Sequence, residues 1–556
     1  MSTGHKPNYL KKNYGHIIIL CLSFILLSIF IYHNYQKYPD TFLNKDEYYH
    51  ASLIKNVAET NDIAFYQAKY WGLVSYNYPP AFPLLHAFIF RSLKLTDFVQ
   101  YAKIATLVTL IMFLVVFVWV VWLLLRSAKS ISLATLFLVS SYFPMNRLML
   151  FLPENLALIF LFLFIVVLIK LKNHDWVRLP LLGLLVLGTL FTNVLTATFL
   201  FATIALLVPI SLYRNRISEA FKIAIVGGFI YIFSQQIQFL DTFWTRYLHL
   251  VSFVALILCA LILLEHFLIR KFRLDVKQQY LINVTFVIII ITGSLYDWFN
   301  ERFVWGSILT ERYYILDNLP KIINNAFHFF FLNNGGTHVG LQSTLFYLGI
   351  GGIVISVYRS YRGRVINTPI IILTFLSFSS LMFGPYIGIE PGSENPRAML
   401  YFSLMVTILS ATFLSASYFR KHSPKYFIPL LVSLLLVTTV NNTMNYINYN
   451  STDNIPKPIV KFINQEVSVN NKILVNSQYV MELYSRTIGE SATYVLDNKY
   501  LAENNTDLVK TQLKKQNITF ILTGPNSVAE QELFGIASYP PSISNGAYSI
   551  YRIRTQ

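Results

Sequence analysis

Long apolar stretches recur along almost the whole chain, and they limit how it can fold more than any other feature. We count about thirteen, and several approach the ~20 residues that a helix needs to cross a bilayer. Since 55% of the 556 residues are hydrophobic and only 13% are charged, a soluble protein could not bury this much apolar surface. The sequence therefore predicts an all-α polytopic membrane domain. The stretches are 16–33, 101–125, 130–145, 154–171, 179–195, 197–213, 222–238, 248–269, 280–296, 341–358, 368–388, 398–418 and 426–443.

Basic residues between these stretches give the chain an orientation. A formal net charge of +17 could indicate nucleic-acid binding, but the Lys and Arg residues lie mostly in short clusters, which fits the positive-inside rule better. We assign the clusters to the cytoplasm, so the N-terminus is cytoplasmic, the C-terminus faces outward, and no nucleic-acid partner is expected. The clusters are Lys6/Lys11/Lys12, Arg126/Lys129, Lys170/Lys172/Arg178, Arg214/Arg216, Arg270/Lys271/Arg273/Lys277, Arg359/Arg362/Arg364 and Arg420/Lys421/Lys425.

The composition changes near residue 450. After this point, short apolar runs that predict strands alternate with segments that predict helices, an order typical of a small α/β domain. We therefore expect a transmembrane domain at 1–445 and an extracytoplasmic α/β domain at 446–556. The predicted strands are 472–475, 492–496, 518–523 and 548–553, and the predicted helices are 479–488 and 507–516.

The first outward connection, residues 34–100, carries the strongest candidate for chemistry. Asp46 and Glu47 begin a stretch that predicts a helix over 46–60, and His50 follows at a spacing that brings all three side chains near one face. A carboxylate at the bilayer edge is partly desolvated, which raises its pKa towards values useful for a general base. The alternative is a solvated helix with an ordinary acidic start and a histidine that is only a structural partner.

Later in the same connection, prolines at 79, 80 and 83 fix the backbone and withhold hydrogen-bond donors. Together with Tyr78 they predict an aromatic-lined corner, followed by an apolar helix over 84–93. We take Tyr78 as a candidate for substrate contact, because a loop this long with its own structure is usually functional.

A second candidate lies between the third and fourth stretches, where Arg147 precedes Pro153-Glu154. Ionisable residues this near the membrane core are costly and by default indicate function. In the functional interpretation Glu154 supports the first-loop acids and Arg147 contacts substrate. The alternative is that Arg147 and Glu154 form an ion pair in which the two charges compensate each other and have no functional role.

A third candidate is the segment from Glu390 to Arg397, which precedes the twelfth stretch. A guanidinium group holds phosphate oxygens in a bidentate fork, and the phosphate of a membrane lipid would lie at this depth. We predict that Arg397 and Glu394 contact substrate, with Arg302 and Arg312 as further candidates for phosphate. The alternative is helix capping and interface anchoring.

The motifs of other enzyme classes do not occur in the sequence. It contains no GxxxxGK[ST] phosphate loop, no HExxH and no Cys/His cluster. The predicted inner loops are short, so no cytoplasmic nucleotide-sugar domain is expected. An activated donor must then be reached from the outer side, and a lipid-linked donor fits best.

Together these features resemble the C-superfamily of membrane glycosyltransferases. This family uses polyprenyl- or dolichyl-phosphate sugars and includes protein O-mannosyltransferases, the lipid A aminoarabinose transferase and the oligosaccharyltransferase catalytic subunit. The resemblance rests on Asp46-Glu47, the Tyr78-Pro79-Pro80 corner, Arg147 with Pro153-Glu154, and the outward C-terminal domain. It implies transfer of a sugar from a lipid phosphate on the extracytoplasmic face, with the first-loop carboxylate as base or metal ligand.

The sequence departs from the oligosaccharyltransferase pattern. It has no Trp-Trp-Asp-Tyr-Gly run, and Asp297-Trp298 is the nearest match, which favours transfer of a single sugar over a whole oligosaccharide. The first loop has adjacent acids and no Asp-x-Asp. A divalent metal such as Mg²⁺ or Mn²⁺, held by Asp46 and Glu47, therefore stays an open expectation.

We expect a glycosyltransferase that takes a sugar from a polyprenyl-phosphate donor to a glycan, lipid or protein acceptor. Asp46 or Glu47 deprotonates the acceptor, and Glu154 is a supporting acid. Arg397 holds the leaving phosphate, and His50 contributes to substrate binding. One alternative is a transporter or flippase of lipid-linked glycans, which needs midplane charge and broken helices that the stretches largely lack. The other is a non-catalytic scaffold. A prokaryotic plasma membrane is the expected location.

Overall fold

The computed structural model of the chain divides into two compact units. The first unit comprises 1–31, 111–148 and 154–448, and the second comprises 32–110, 149–153 and 449–556. The structure describes residues 9–37, 42, 45–60, 79–95, 97–171, 174–214, 216–235, 255–260, 262–264, 343–361, 368–383, 395–415, 455–467, 470–475, 493–495, 511, 513–515, 517–524, 541–545 and 548–553.

Helices dominate the described residues. In chain order they are Tyr9–Lys37 (α1), Lys45–Thr60 (α2), Ala81–Ser92 (α3), Phe98–Leu125 (α4), Ala128–Ser140 (α5), Tyr142–Leu148 (α6), Pro153–Lys170 (α7), Asp175–Thr192 (α8), Val194–Tyr213 (α9), Ile217–Gln235 (α10), Ser343–Tyr361 (α11), Thr368–Phe383 (α12), Asn395–Ser415 (α13) and Lys457–Glu466 (α14).

Several of these helices are apolar enough to lie in a membrane. Among the described residues, α4, α7, α8 and α9 are each long and apolar enough to cross a bilayer. Shorter apolar helices lie in α1, α5, α11, α12 and α13, and at Ala255–Leu264. The chain is therefore a mostly helical, multi-pass membrane protein, as expected. The predicted spans at 280–296 and 426–443 lie outside the described residues, so the count of thirteen stays a prediction.

The third predicted span, 130–145, is not one helix. α5 ends at Ser140, Ser141 has extended backbone angles (φ −85°, ψ 108°), and α6 begins at Tyr142. Pro144 explains the break, because a proline inside a continuous helix would clash with the carbonyl of Ser140. In the first turn of a new helix its missing N–H has no cost.

In the first unit, α13 is the core helix. Every side chain from Leu400 to Thr412 is buried, and the helix packs against α5, α6, α11 and α12. Contact with α11 is close because glycines face α13: a Cβ added at Gly352 would lie 2.0 Å from the Leu409 carbonyl oxygen. Ser410 Oγ donates to the Leu345 carbonyl oxygen at 2.8 Å, which fixes the register of the two helices.

The second unit contains α2, α3, the first half of α4, the segment 149–153 and the described part of the C-terminal region. That last part includes a five-stranded sheet in the order β2-β1-β3-β5-β4. β1 is parallel to β2 and β3, whereas β5 is antiparallel to both β3 and β4. The strands are Lys472–Val475 (β1), Thr493–Val495 (β2), Ile518–Thr523 (β3), Ile543–Asn545 (β4) and Tyr548–Arg552 (β5).

Both faces of the sheet carry buried apolar side chains. Ile459 and Ile463 of α14 share one cluster with Ile473 and Phe520, and Leu513, Ile521 and Tyr551 belong to a second cluster. Four strands lie where the sequence predicts them, but β4 was not predicted. The predicted helix 479–488 lies outside the described residues, and a separate domain at 446–556 stays a prediction.

Candidate functional site

The two first-loop acids lie in the first turn of α2, where a negative charge is favoured by the N-terminal end of the helix dipole. Asp46 is partly exposed, whereas Glu47 is buried, with 4% of its surface exposed. The adjacent carboxylates therefore meet different surroundings. Asp46 is the one that a dissolved or membrane-bound molecule can approach more easily.

Glu47 is held by the backbone of a distant segment. The backbone N–H of Phe151 donates to Glu47 Oε1 at 2.8 Å, across 104 positions of sequence. Phe151 lies in 149–153, which belongs to the second unit together with α2. A hydrogen bond from a backbone N–H to a carboxylate is one of the stronger kinds, so this contact ties the start of α2 to that segment.

Aromatic rings surround the same region. Phe82 of α3 lies 5.1 Å from Phe151 between ring centroids, and the ring of His50 meets the edge of Phe82 at 6.0 Å. Tyr48 accepts a hydrogen bond from the Phe42 N–H through its hydroxyl at 3.1 Å. His50 is buried as well. The aromatic rings thus lie beside two buried polar side chains, Glu47 and His50.

His86 of α3 is a buried histidine that was not among the predicted site residues. Its Nδ1 lies 2.7 Å from the hydroxyl oxygen of Tyr101, and its ring packs 4.9 Å from that of Phe151. Burial lowers the pKa of His86 from 6.5 to about 4, so the imidazole is neutral at pH 7. Nothing in the sequence marks this histidine, because its partner lies 15 positions away on another helix.

In the first unit, Arg147 and Glu154 form the ion pair that was the alternative to a functional role for them. Arg147 Nη2 lies 2.7 Å from Glu154 Oε2, and both side chains are buried. Asn155 Nδ2 donates to the carbonyl oxygens of Arg147 (3.0 Å) and Leu148 (3.3 Å), which ties the start of α7 to the end of α6. Glu154 Oε1 is buried and has no hydrogen-bond partner among the described residues.

The start of α13 lies beside the start of α9. Tyr401 is fully buried, and its hydroxyl shares a hydrogen bond with Thr196 Oγ1 at 2.5 Å. Thr196 is in turn held by Asn193, whose Oδ1 accepts from the Thr196 N–H at 2.9 Å. Arg397 belongs to the first turn of α13, one helical turn before Tyr401. α13 also packs against α6, the helix that carries Arg147.

The structure therefore describes some of the predicted site residues and not others. Asp46, Glu47 and His50 lie in the second unit, and Arg147, Glu154 and Arg397 belong to the first. The expected convergence of the two groups stays a prediction. Tyr78, Arg302, Arg312 and Glu394 lie outside the described residues.

Within the part of the chain that the structure describes, no group of three or more His, Cys, Asp or Glu side chains is placed to hold a metal ion. Asp46 and Glu47 are adjacent carboxylates of the kind that Mg²⁺ and Mn²⁺ prefer. Two such ligands do not complete a site, so any further ligand would come from substrate, water or the rest of the chain.

No protein-family sequence model matches the chain, and no curated protein matches its sequence. Its structure does match solved structures. The apo form of the Archaeoglobus fulgidus oligosaccharyltransferase aligns with a TM-score of 0.59 at 13% identity, over 93% of this chain and 70% of that one. The Archaeoglobus fulgidus oligosaccharyltransferase AglB, in complex with an inhibitory peptide and a dolichol-phosphate, gives 0.58 at 12% identity with the same coverage.

ArnT from Cupriavidus metallidurans bound to undecaprenyl phosphate aligns at 9% identity with a TM-score of 0.41, over 97% of this chain and 98% of that one. The oligosaccharyltransferase matches are the ones that define the architecture. They show the fold: the described chain folds like the archaeal oligosaccharyltransferase, as the resemblance drawn from the residue pattern led us to expect.

Proposed function

We propose that the chain is an integral-membrane glycosyltransferase that moves a sugar from a polyprenyl-phosphate donor to an acceptor on the extracytoplasmic side. The observation that carries the proposal is the first turn of α2, where a buried, backbone-bound Glu47 stands next to a more accessible Asp46. The fold supports it, since the archaeal oligosaccharyltransferase of the same fold binds a dolichol-phosphate and a peptide.

In this proposal Asp46 acts as the general base. It takes the proton of an acceptor hydroxyl as the acceptor oxygen bonds to the anomeric carbon and the bond from that carbon to the phosphate oxygen breaks. The polyprenyl phosphate leaves with the electron pair of the broken bond. Glu47 is too buried for this task, and its bond to the Phe151 N–H makes it a positioning residue that fixes the first turn of α2.

Charge on the departing phosphate must also be balanced. We assign this to Arg397, which belongs to the first turn of α13, one helical turn before Tyr401. Preorganised cations and donors at a developing charge are often worth about 3–4 kcal/mol each. The buried Arg147–Glu154 pair holds α6 to α7 and makes Glu154 a supporting acid. His50, Tyr78, Arg302, Arg312 and Glu394 remain candidates for substrate contact.

A divalent cation would suit the departure of the phosphate, although the transfer of the proton to Asp46 does not require one. When bound, Mg²⁺ or Mn²⁺ would neutralise charge on the donor phosphate. Asp46 is the better placed protein ligand, because the carboxylate of Glu47 already accepts from Phe151 N–H. Loss of transfer on adding EDTA, restored by Mn²⁺ or Mg²⁺, is the expected result if the cation takes part. Full activity in EDTA would exclude it.

The proposal is tested with the full-length protein in liposomes that contain a polyprenyl-phosphate sugar and a simple hydroxyl acceptor. Release of polyprenyl phosphate is followed by mass spectrometry. Asp46→Asn should lower the transfer rate by at least ~100-fold, the scale of lost general-base catalysis. Glu466→Gln, an exposed acid on α14, is the matched control and should leave the rate unchanged. Full activity of Asp46→Asn would exclude Asp46 as the base.

The same liposomes separate an enzyme from a transporter. A flippase would move the intact donor across the bilayer and leave its sugar–phosphate bond whole. A scaffold would do neither. Intact donor that crosses the membrane without forming polyprenyl phosphate would therefore replace the proposed function with a transport function.

A further inference from the structure

α3 has one face packed inside the second unit and another that is exposed. Phe82 and His86 are buried and pack against Phe151, so the helix cannot roll about its axis. On the other side Leu85 is 43% exposed and Phe88 is 71% exposed, three positions apart on one helical face. With Leu93 and Leu95 exposed directly after the helix, these side chains form an apolar patch of the kind that meets an apolar partner.

The basic residues of α3 lie at one end. Arg91 occupies the last turn, and Lys94 follows directly after the helix with φ at 50°, a left-handed conformation that ends it. Both side chains are exposed. Cations next to an apolar face are typical of helices that lie in a membrane interface, where Arg and Lys reach the lipid phosphates.

The bilayer is within reach of this face. Only residues 93–97 separate α3 from α4, and α4 is a helix long and apolar enough to cross a membrane. A link of that length spans at most roughly 20 Å when fully extended. α4 itself exposes Ile104 and Val108, as a lipid-facing span does. Leu93 and Leu95 in the link are exposed as well.

We propose that the Leu85–Phe88 face of α3 is inserted into the lipid interface of the bilayer, with Arg91 and Lys94 at the level of the lipid phosphates. α3 packs against α2, whose first turn carries the acids. Insertion of α3 therefore sets the depth of Asp46 relative to the membrane surface. The partner surface is the outer leaflet itself.

The depth of this face is measured with a spin label. Cys21 and Cys259, the free cysteines, are replaced by serine, and Phe88→Cys is labelled in proteoliposomes of zwitterionic and anionic lipids. The label should collide more with oxygen, which concentrates in lipid, than with a water-soluble nickel complex. Gln465→Cys, on the exposed side of α14, is the control and should show the reverse. Leu85→Cys replaces Phe88→Cys if that variant does not fold.

Either of two other results would overturn the proposal. A label reached mainly by the nickel complex would place the face in water. A label shielded from both reagents would show that protein covers it, either a second copy or another part of this chain.

A consequence for catalysis rests on the proposed function. Phe88→Gln should raise KM for a long-chain donor and leave kcat unchanged. The expected rise is roughly tenfold, the change in affinity that corresponds to the loss of one apolar contact with lipid. A short, water-soluble donor analogue should show no such change. If the unmodified protein transfers no sugar, the proposed function fails, but the spin-label result still decides where α3 lies.

Discussion

At the residue scale, the buried Arg147–Glu154 pair gives the clearest prediction. Removing the cation from a buried ion pair leaves the carboxylate uncompensated, which typically costs about 3–5 kcal/mol. We expect Arg147→Met to lower the apparent melting temperature of the detergent-solubilised protein, because Glu154 loses its ion pair. The double variant Arg147→Met/Glu154→Leu should recover much of the loss, because the buried carboxylate is removed as well. Equal melting of the wild type and Arg147→Met would show that the pair does not contribute to stability.

His86 predicts a pH dependence. Its pKa is about 4 in the folded protein and 6.5 in the unfolded chain, because burial disfavours the imidazolium. As the pH falls from 6.5 to 4, the unfolded chain binds a proton that the folded chain does not. The unfolding free energy therefore decreases across this window, by about 3 kcal/mol at most, and levels off below it.

The measurement for His86 is a comparison of melting temperatures with His86→Gln, which has no titrating ring. The wild type should lose stability relative to this variant between pH 6.5 and 4, and the difference should be constant above that window. A constant difference across the whole range would mean that His86 becomes protonated in the folded state as readily as in the unfolded one.

Some of the candidate site could be predicted from sequence and some could not. Arg147 and Glu154 are ionisable residues of opposite charge in one short turn, and their pairing was one of two expected outcomes. The bond from the Phe151 N–H to Glu47 could not be foreseen, because every residue except proline has a backbone N–H and the two residues are 104 positions apart. The different exposure of Asp46 and Glu47 follows from that contact.

At the element scale, the contact of α11 with α13 depends on glycine. A Cβ at Gly352 would lie 2.0 Å from a backbone oxygen of Leu409, so Gly352→Ala must push the helices apart. Overpacking of this kind typically costs about 1–3 kcal/mol. Gly228→Ala in α10 is the matched control, since nothing lies within 4 Å of its added Cβ and alanine favours the helix by up to ~1 kcal/mol.

The measurement is again the apparent melting temperature in detergent. Gly352→Ala should melt well below the wild type, whereas Gly228→Ala should melt at the same temperature or higher. If both variants behave alike, the separation of α11 and α13 is not fixed by backbone contact.

The elements that could be predicted from sequence have one property in common. Each has its signal within its own residues, either as a long apolar run or, in α2, as acidic residues at the start of the helix. The break at Ser141 was missed because the apolar run continues through it, and only Pro144 signals the new helix. β4 has three residues, Ile543–Asn545, and among the described strands it pairs with β5 alone, so it has too few positions for an alternating pattern to be recognised.

At the scale of the whole molecule, the second unit combines chain segments that are far apart in sequence. It contains 32–110, 149–153 and 449–556. The positive-inside rule places the first loop, the link before α7 and the C-terminal region on the outer side, independently of any three-dimensional information. One compact unit can include all three segments only if they lie on the same side of the membrane. The unit therefore agrees with the three segments sharing one side, and which side that is stays a prediction.

This orientation is tested by labelling intact cells with a membrane-impermeant maleimide. In the protein without native cysteines, Gln465→Cys on α14 should be labelled from outside, since its side chain is exposed and the C-terminal region is predicted to face outward. His174→Cys, exposed in the link between α7 and α8, should be labelled only after permeabilisation, because that link carries a predicted cytoplasmic cluster. Labelling of His174→Cys but not Gln465→Cys in intact cells would invert the topology and place the acids of α2 in the cytoplasm, where an outer-leaflet donor could not reach them.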